Sequence, residues 1–351
     1  MIDRKKLGRS GLTVPGICLG TMTFGQQNDT AQSHAQLDYA LERGVDFIDT
    51  AEMYSMPIRA ETFGATEKIV GEWLLKGKRD RVILASKVSG PGRGMNWIRT
   101  GDRDGVEPLS KRDVLLACEA SLKRLRTDYL DLYQIHWPTR NVPLFGAGRF
   151  DPSKDRECAS IRETLEGLAQ LVKDGKVRAV GVSNETPWGV CEWTKVAEQY
   201  SLPRIASIQN VYNLLSREFD AGVAEACHRE DVGLLVYSAL AFGHLTGKYL
   251  RGGKPSDARL IKFGPLWPRY ARPQIEPAVL RYEALAKDAG LTLTQLALAF
   301  CYRSPYVAST ILGATSVEQL REQIDAWSVQ LSDDLVKAID AIHEQMTNPA
   351  R

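Results

Sequence analysis

Thr127-Asp128-Tyr129-Leu130-Asp131-Leu132-Tyr133-Gln134-Ile135-His136-Trp137-Pro138 reads as a strand that ends on a histidine. Thr127-Asp128 is turn-prone, the Tyr, Leu and Ile residues that follow favour β-structure, and Pro138 lacks the N–H a sheet needs. A period of two puts Leu130, Leu132, Gln134 and His136 on one face, so an apolar base gives way to a polar tip. Just upstream, Ser110-Lys111-Arg112-Asp113 has the form of an N-cap with an acid three residues on, and Val114, Cys118, Leu122 and Leu125 follow at helical spacing. Helix, turn and strand make one α/β unit. A histidine at a strand end is most often structural, so its meaning depends on the rest of the chain.

Seven more short apolar runs close on a polar or small residue: Gly16 to Gly20, Phe47 to Asp49, Val82 to Lys87, Ala179 to Asn184, Ser207 to Asn210, Gly233 to Ser238 and Ser309 to Ala314. Amphipathic helical patterns lie between most of them, as in Ile161 to Lys173, Trp188 to Gln199, Phe219 to Glu230 and Val317 to Trp327. Strands alternating with helices call for a parallel sheet, and eight such units predict an α/β protein, a single (β/α)8 barrel domain over 1–351. Asp49, Lys87, His136, Asn184, Gln209 and Tyr237 then share the C-terminal ends of the strands, where such barrels keep their sites. Leu7 to Pro15 reads as an N-terminal hairpin. Three long connections, Val88 to Leu109, Thr139 to Ala159 and Ala239 to Ile275, each follow a strand and should rise over that same face as pocket walls. Leu331 to Met346 has a last helical pattern, and Thr347 to Arg351 should fray or drape over the barrel.

Of the 351 residues, 44% are hydrophobic and 25% charged, with a net charge of +2, an ordinary globular balance that gives no basic stripe for nucleic acid. The start, Met1 to Lys6, lacks a signal-peptide core, and no run approaches the roughly 20 apolar residues of a membrane span. A cytoplasmic protein is expected, with no membrane partner. The six cysteines are scattered and the five histidines are never paired as His-x-x-x-His, so no metal is expected.

Gly92-Arg93-Gly94 lacks the third glycine of a dinucleotide fingerprint, and Gly243 to Tyr249 has neither the length nor the hydroxyl of a P-loop. No Gly-x-Ser-x-Gly elbow is present. What remains is Asp49, Tyr54, Lys87 and His136. A phenol with a pKa of about 10 is a poor acid at neutral pH, and a neighbouring ammonium makes it a better one. Lys87, held by Asp49 and facing Tyr54, would do this, with His136 orienting a carbonyl oxygen. Such a set suits protonation of an oxygen as hydride reaches its carbon. The residues alone leave open a second possibility, a buried Asp–Lys ion pair beside a structural tyrosine.

Asp49-Thr50-Ala51-Glu52-Met53-Tyr54, Lys87 after its β-run, and Leu132 to Pro138 resemble the catalytic signatures of the aldo-keto reductase superfamily. Lys5 to Leu12, Gly181 to Asn184, Ile208 to Asn210, Tyr237 to Leu240 and Leu245 to Tyr249 extend the resemblance over nearly the whole chain. It is nearest to the bacterial Tas-like branch and the potassium-channel β-subunit group. The resemblance implies NADP(H)-dependent reduction of an aldehyde or ketone, with Tyr54 as general acid, Lys87 and Asp49 tuning it and His136 positioning the carbonyl. It implies Ser183, Asn184 and Gln209 on the nicotinamide carboxamide, Tyr237 stacked on its ring, and Gly20, Thr21, Met22 and Asp49 among the cofactor contacts. Ser238, Leu240, Gly243, Leu245, Gly247 and Lys248 would line the pyrophosphate, and Gly313, Thr315, Gln319, Glu322 and Gln323 the adenosine end.

Two departures stand out. Ser55 to Phe63 is inserted before Gly64-x-x-Glu67, altering the rim beside the acid, and Gln319 replaces an arginine that many reductases carry. Preference for NADP then falls to another cation, and Arg259 in the connection after Tyr237 is the candidate. Met53, Trp97, Trp137, Phe145 and Trp267 are the expected wall for a small-molecule carbonyl substrate with an apolar body. Two other functions stay open: an NADPH-binding redox sensor that docks on a partner, as the channel subunits do, and a Schiff-base aldolase or isomerase acting through Lys87.

Overall fold

A computed structural model describes every residue of the protein except 93, 96, 99–108 and 265–266. An antiparallel hairpin of β1 (Arg4–Lys6) and β2 (Thr13–Pro15) precedes eight parallel strands: β3 (Ile17–Gly20), β4 (Phe47–Asp49), β5 (Ile83–Val88), β6 (Leu130–Ile135), β7 (Val177–Ser183), β8 (Ile205–Val211), β9 (Gly233–Tyr237) and β10 (Val307–Leu312). These eight close into a barrel, β10 pairing with both β9 and β3. The chain is a (β/α)8 barrel, with all eight strands where the sequence places them.

Helices α1 (Thr30–Glu42), α2 (Ala65–Leu74), α3 (Lys111–Leu125), α4 (Ile161–Lys173), α5 (Pro187–Gln199) and α6 (Val223–Glu230) follow successive strands. The short α7 (Arg259–Phe263) and the longer α8 (Ile275–Asp288) and α9 (Leu293–Arg303) lie between β9 and β10, and α10 (Val317–Asp325) and α11 (Asp333–Gln345) complete the chain. Local chemistry fixes the starts. Ser110 and Asp113 form a reciprocal capping box at α3, as expected, and Thr292 with Gln295 forms another at α9. The helix expected over Phe219 to Glu230 is interrupted: Gly222 is extended, separating a 3-10 turn at Glu218–Ala221 from α6.

Inside the barrel, Phe47, Ala85, Leu132, Ala179 and Leu235 form an apolar plug, closed from below by Leu7 and Val14 of the hairpin. The outer faces of the strands pack with the helices into the main core. Leu130, at the strand's entry, is buried with the main core, as are Tyr133 and Ile135. Above the plug the interior turns polar. Gly181 makes room for this layer, since a Cβ there would stand 2.5 Å from Ser207 Oγ and 3.2 Å from Gln134 Cγ.

The connections after β6 and β9 rise over the strands' C-terminal ends, and a third, after β5, is expected from the sequence to do the same. Much of that third connection, from Val88 to Leu109, lies outside the described residues. The C-terminal segment drapes and is latched. Ala350 is fully buried and donates its N–H to Leu215 O, while Arg351 reaches Gly148 O and pairs with Glu218.

Candidate active site

β4 ends on Asp49 and β5 carries Lys87, and their register sets the two side chains side by side in the polar layer. Lys87 Nζ donates to Asp49 Oδ2 at 2.5 Å and to Thr50 O at 2.9 Å, and lies 4.9 Å from the centre of the Tyr54 ring. The other oxygen of Asp49 accepts from Gln134 at 3.2 Å and from Gln209 at 2.9 Å. The pair is wholly buried, so these extra donors matter: an ion pair removed from water is tolerable only when its remaining lone pairs are used.

The turn carrying Tyr54 is stitched to β5, with Thr50 N–H on Ala85 O, Glu52 N–H on Lys87 O and Ser89 N–H on Glu52 Oε1. Beyond the end of β6, His136 donates its backbone N–H to Val88 O and sets its ring edge-on to Tyr54, 5.7 Å between centres. The four residues expected to carry the chemistry are therefore brought together at the base of one cavity.

Burial is the largest influence on Tyr54 and raises its pKa. The ammonium and hydrogen bond of Lys87 oppose that rise without reversing it. The sequence-based expectation of a net lowering is thus corrected for the free protein: Tyr54 holds its proton at neutral pH. For Lys87, burial alone would favour the neutral amine, but Asp49 and Tyr54 outweigh it and keep it an ammonium.

The cavity above has a volume of about 610 Å³. Around its base stand Gly20, Thr21, Met22, Ser183, Asn184, Gln209 and Tyr237. Thr21 holds Asp49 O through both its N–H and its hydroxyl. Asn184 ties three elements together, donating to His136 O and Ser183 Oγ and accepting from Tyr237 OH at 2.7 Å. Ser238, Leu240, Gly243 and Lys248 line the side that follows β9. Leu245 and Gly247 do not: Leu245 is buried in the outer core, and a Cβ on Gly247 would face Glu283.

Gly313, Thr315, Gln319, Glu322 and Gln323 occupy the far end. Gln319 accepts from Thr315 N–H and hydroxyl, and Gln323 donates to Gly313 O, so both brace the turn after β10. Arg259 also lines the cavity, donating to Gln27 at 3.3 Å and lying over the Phe242 ring.

Of the expected substrate wall, Met53, Trp137, Phe145 and Trp267 line the cavity. Trp97 packs behind it against the cluster of Met53, Tyr54, Met95 and Trp137 and does not line it. The segment from Ser55 to Phe63 folds back on the site. Ser55 N–H meets Thr62 O, Met56 N–H meets Met22 O, and Met56 faces the cavity.

The aldo/keto reductase family model matches residues 16–344. The chain belongs to the aldo/keto reductase family. It is 46% identical over 349 residues to Protein tas of Escherichia coli (strain K12), covering 98% of this chain and 99% of that protein. An uncharacterized oxidoreductase of Bacillus subtilis (strain 168) is 32% identical, over 96% of this chain and 94% of its own. A probable voltage-gated potassium channel subunit beta of Oryza sativa subsp. japonica is 30% identical, over 96% and 95%. Membership in the family makes this protein an oxidoreductase. Among its described residues no helix is long and apolar enough to cross a membrane.

Several cavity residues went unassigned in the sequence: Met56, Gln27, Tyr249 and Arg269 on the walls, and Gln134 as a second holder of Asp49. Gln134 was recoverable, since strand parity already placed it beside His136. The wall residues gave no comparable signal.

Proposed function

We propose that this reductase converts an aldehyde or ketone to an alcohol at the expense of NADPH. The observation that carries the reading is Lys87, held as an ammonium between Asp49 and the face of Tyr54 at the base of a large cavity. Bound NADPH supplies the hydride. Tyr54 gives its proton to the substrate oxygen as negative charge develops there, and Lys87 stabilises the phenolate left behind. Solvent then returns a proton to Tyr54. His136 fixes the direction of the carbonyl, and Asp49, through Lys87, keeps the relay charged.

The fit to a dinucleotide is supported by the segment after β9. Ser238, Phe242 and Gly243, all on the cavity wall, have positive φ, a backbone of the kind that builds anion-binding concavities, with Lys248 beside it. Arg259 supports the choice of NADP, because a guanidinium matches a 2′-phosphate and here has no carboxylate partner among the described residues. Asn184, Ser183 and Gln209 surround the place of the nicotinamide, and Tyr237 offers its ring.

Lys87 as a Schiff-base nucleophile fits poorly, since attack needs a neutral amine and this lysine is held charged. A cofactor-holding sensor is the second reading, favoured by the likeness to a probable channel subunit. NADPH oxidation across a panel of aromatic and aliphatic carbonyls separates the two. The reductase reading expects many turnovers per chain on at least one carbonyl, and a single equivalent or none on every member overturns it.

A further inference from the structure

Five of the arginines with little exposure pair with acids. Arg79 pairs with Asp131, Arg124 with Glu67, Arg140 with Glu185, Arg204 with Glu230, and Arg217 with Asp220 and Asp340. Two cavity arginines break the pattern. Arg259 donates to Gln27 and lies over the Phe242 ring. Arg269, in the 3-10 turn Pro268–Ala271, has no carboxylate within 4 Å among the described residues. Its Nε is buried without a hydrogen-bond partner, and the groups that offset its burial are the Tyr237 and Tyr270 hydroxyls.

Its position narrows what it could meet. Arg269 lines the same cavity as Tyr54 and His136 and stands beside Tyr237. It abuts the turn that carries Phe145: a Cβ on Gly146 would lie 3.2 Å from Arg269 Cβ and 3.5 Å from its Nε. Phe145, Trp137 and Trp267 supply the apolar surface around it. A half-buried cation with an unused, buried donor is costly unless something pairs with it, and the planar edge of a guanidinium suits the two oxygens of a carboxylate.

We infer that Arg269 is a specificity-determining residue that binds a carboxylate on the substrate, so that the preferred substrates are carbonyl acids with an apolar body between the two groups. The inference rests on the carbonyl-reductase reading for its kinetics, but the binding it asserts is measurable without turnover.

The first measurement compares 4-carboxybenzaldehyde with methyl 4-formylbenzoate, using NADPH, in the wild type, Arg269→Gln and Arg269→Lys. The acid-to-ester ratio of kcat/KM should fall about ten- to a hundredfold in Arg269→Gln, through KM for the acid alone, and recover in part in Arg269→Lys. An equal ratio in all three overturns the inference while leaving the reductase reading standing. If neither aldehyde turns over, the reductase reading is what suffers, and calorimetric binding of 4-methylbenzoate, with and without NADP⁺, decides the inference. Binding that weakens about tenfold or more in Arg269→Gln supports it, and no binding to the wild type, or equal binding to both, overturns it.

Discussion

At the base of the cavity Asp49 accepts from Lys87, Gln134 and Gln209, and every one of those donors stands on a barrel strand. On the wall above, Arg259 has Gln27 and the Phe242 ring, and Arg269 stands beside Tyr237 and Tyr270 with an unused Nε. The difference is one of preorganisation. Strands hold a constellation whose polar groups satisfy one another in the free protein, which keeps a charged relay stable in a dry interior. The loops hold cations with no acidic partner among the described residues, which the proposed reading assigns to ligands; on that reading the charged relay is built into the barrel and selection into what rises over it.

Breaking the base should have the largest effect. Lys87→Met leaves the Asp49 carboxylate buried beside a methyl group, and loss of one partner of such a pair costs about 3 to 5 kcal/mol, to be read by chemical denaturation. Reduction should fall by roughly 10²-fold or more in the same variant, through Tyr54. The pH profile carries the sign. Burial raises the phenol and Lys87 opposes that rise, so activity should be lost only on the alkaline side, as Tyr54 gives up its proton. Removing Lys87 takes away the opposing influence, so the alkaline limb of any residual activity should move to higher pH; a shift to lower pH would show that Lys87 does not act on Tyr54.

Tyr54→Phe is the narrower cut. It removes the proton donor and little else, so kcat should drop about 10²-fold or more while the Kd for NADPH, read by fluorescence quenching, stays near that of the wild type. A variant that turns over like the wild type would end the assignment.

On the wall, effects should be smaller and selective. Arg259→Ala should weaken NADPH about ten- to a hundredfold, the worth of one charge-assisted contact to phosphate, and leave NADH nearly unchanged. Equal weakening of both would mean that Arg259 only latches its loop.

The smallest test contrasts two glycines. Gly181→Ala drives a methyl against Ser207 and Gln134 and should cost about 1 to 3 kcal/mol, whereas Gly148→Ala meets nothing within 4 Å and should stay within about 0.5 kcal/mol. Comparable losses at both would erase the proposed difference in rigidity.

The same contrast explains what was legible in the sequence. Strand parity and the residues that close each apolar run carried Asp49, Lys87, His136, Gln209 and Tyr237 to one end of the barrel, because a barrel converts local periodicity directly into position. Trp97 and Leu245 lie off the cavity wall, and Arg269 and Met56 went unassigned, for a reason of position. They lie on long connections or insertions, where a side chain's destination depends on contacts with other loops, such as Arg269 with Gly146, that no local pattern encodes. Net pKa direction was equally hidden: the sequence offered Lys87 as a neighbour of Tyr54 but not the depth of burial that outweighs it.

The most direct test of the central claim follows the hydride itself. With NADPH deuterated at the transferable C4 position and an aldehyde substrate in excess, mass spectrometry of the alcohol should find deuterium on the carbinol carbon in many equivalents per protein chain. Label that stays with the cofactor, or that reaches product in no more than one equivalent per chain, would contradict catalytic hydride transfer at this site.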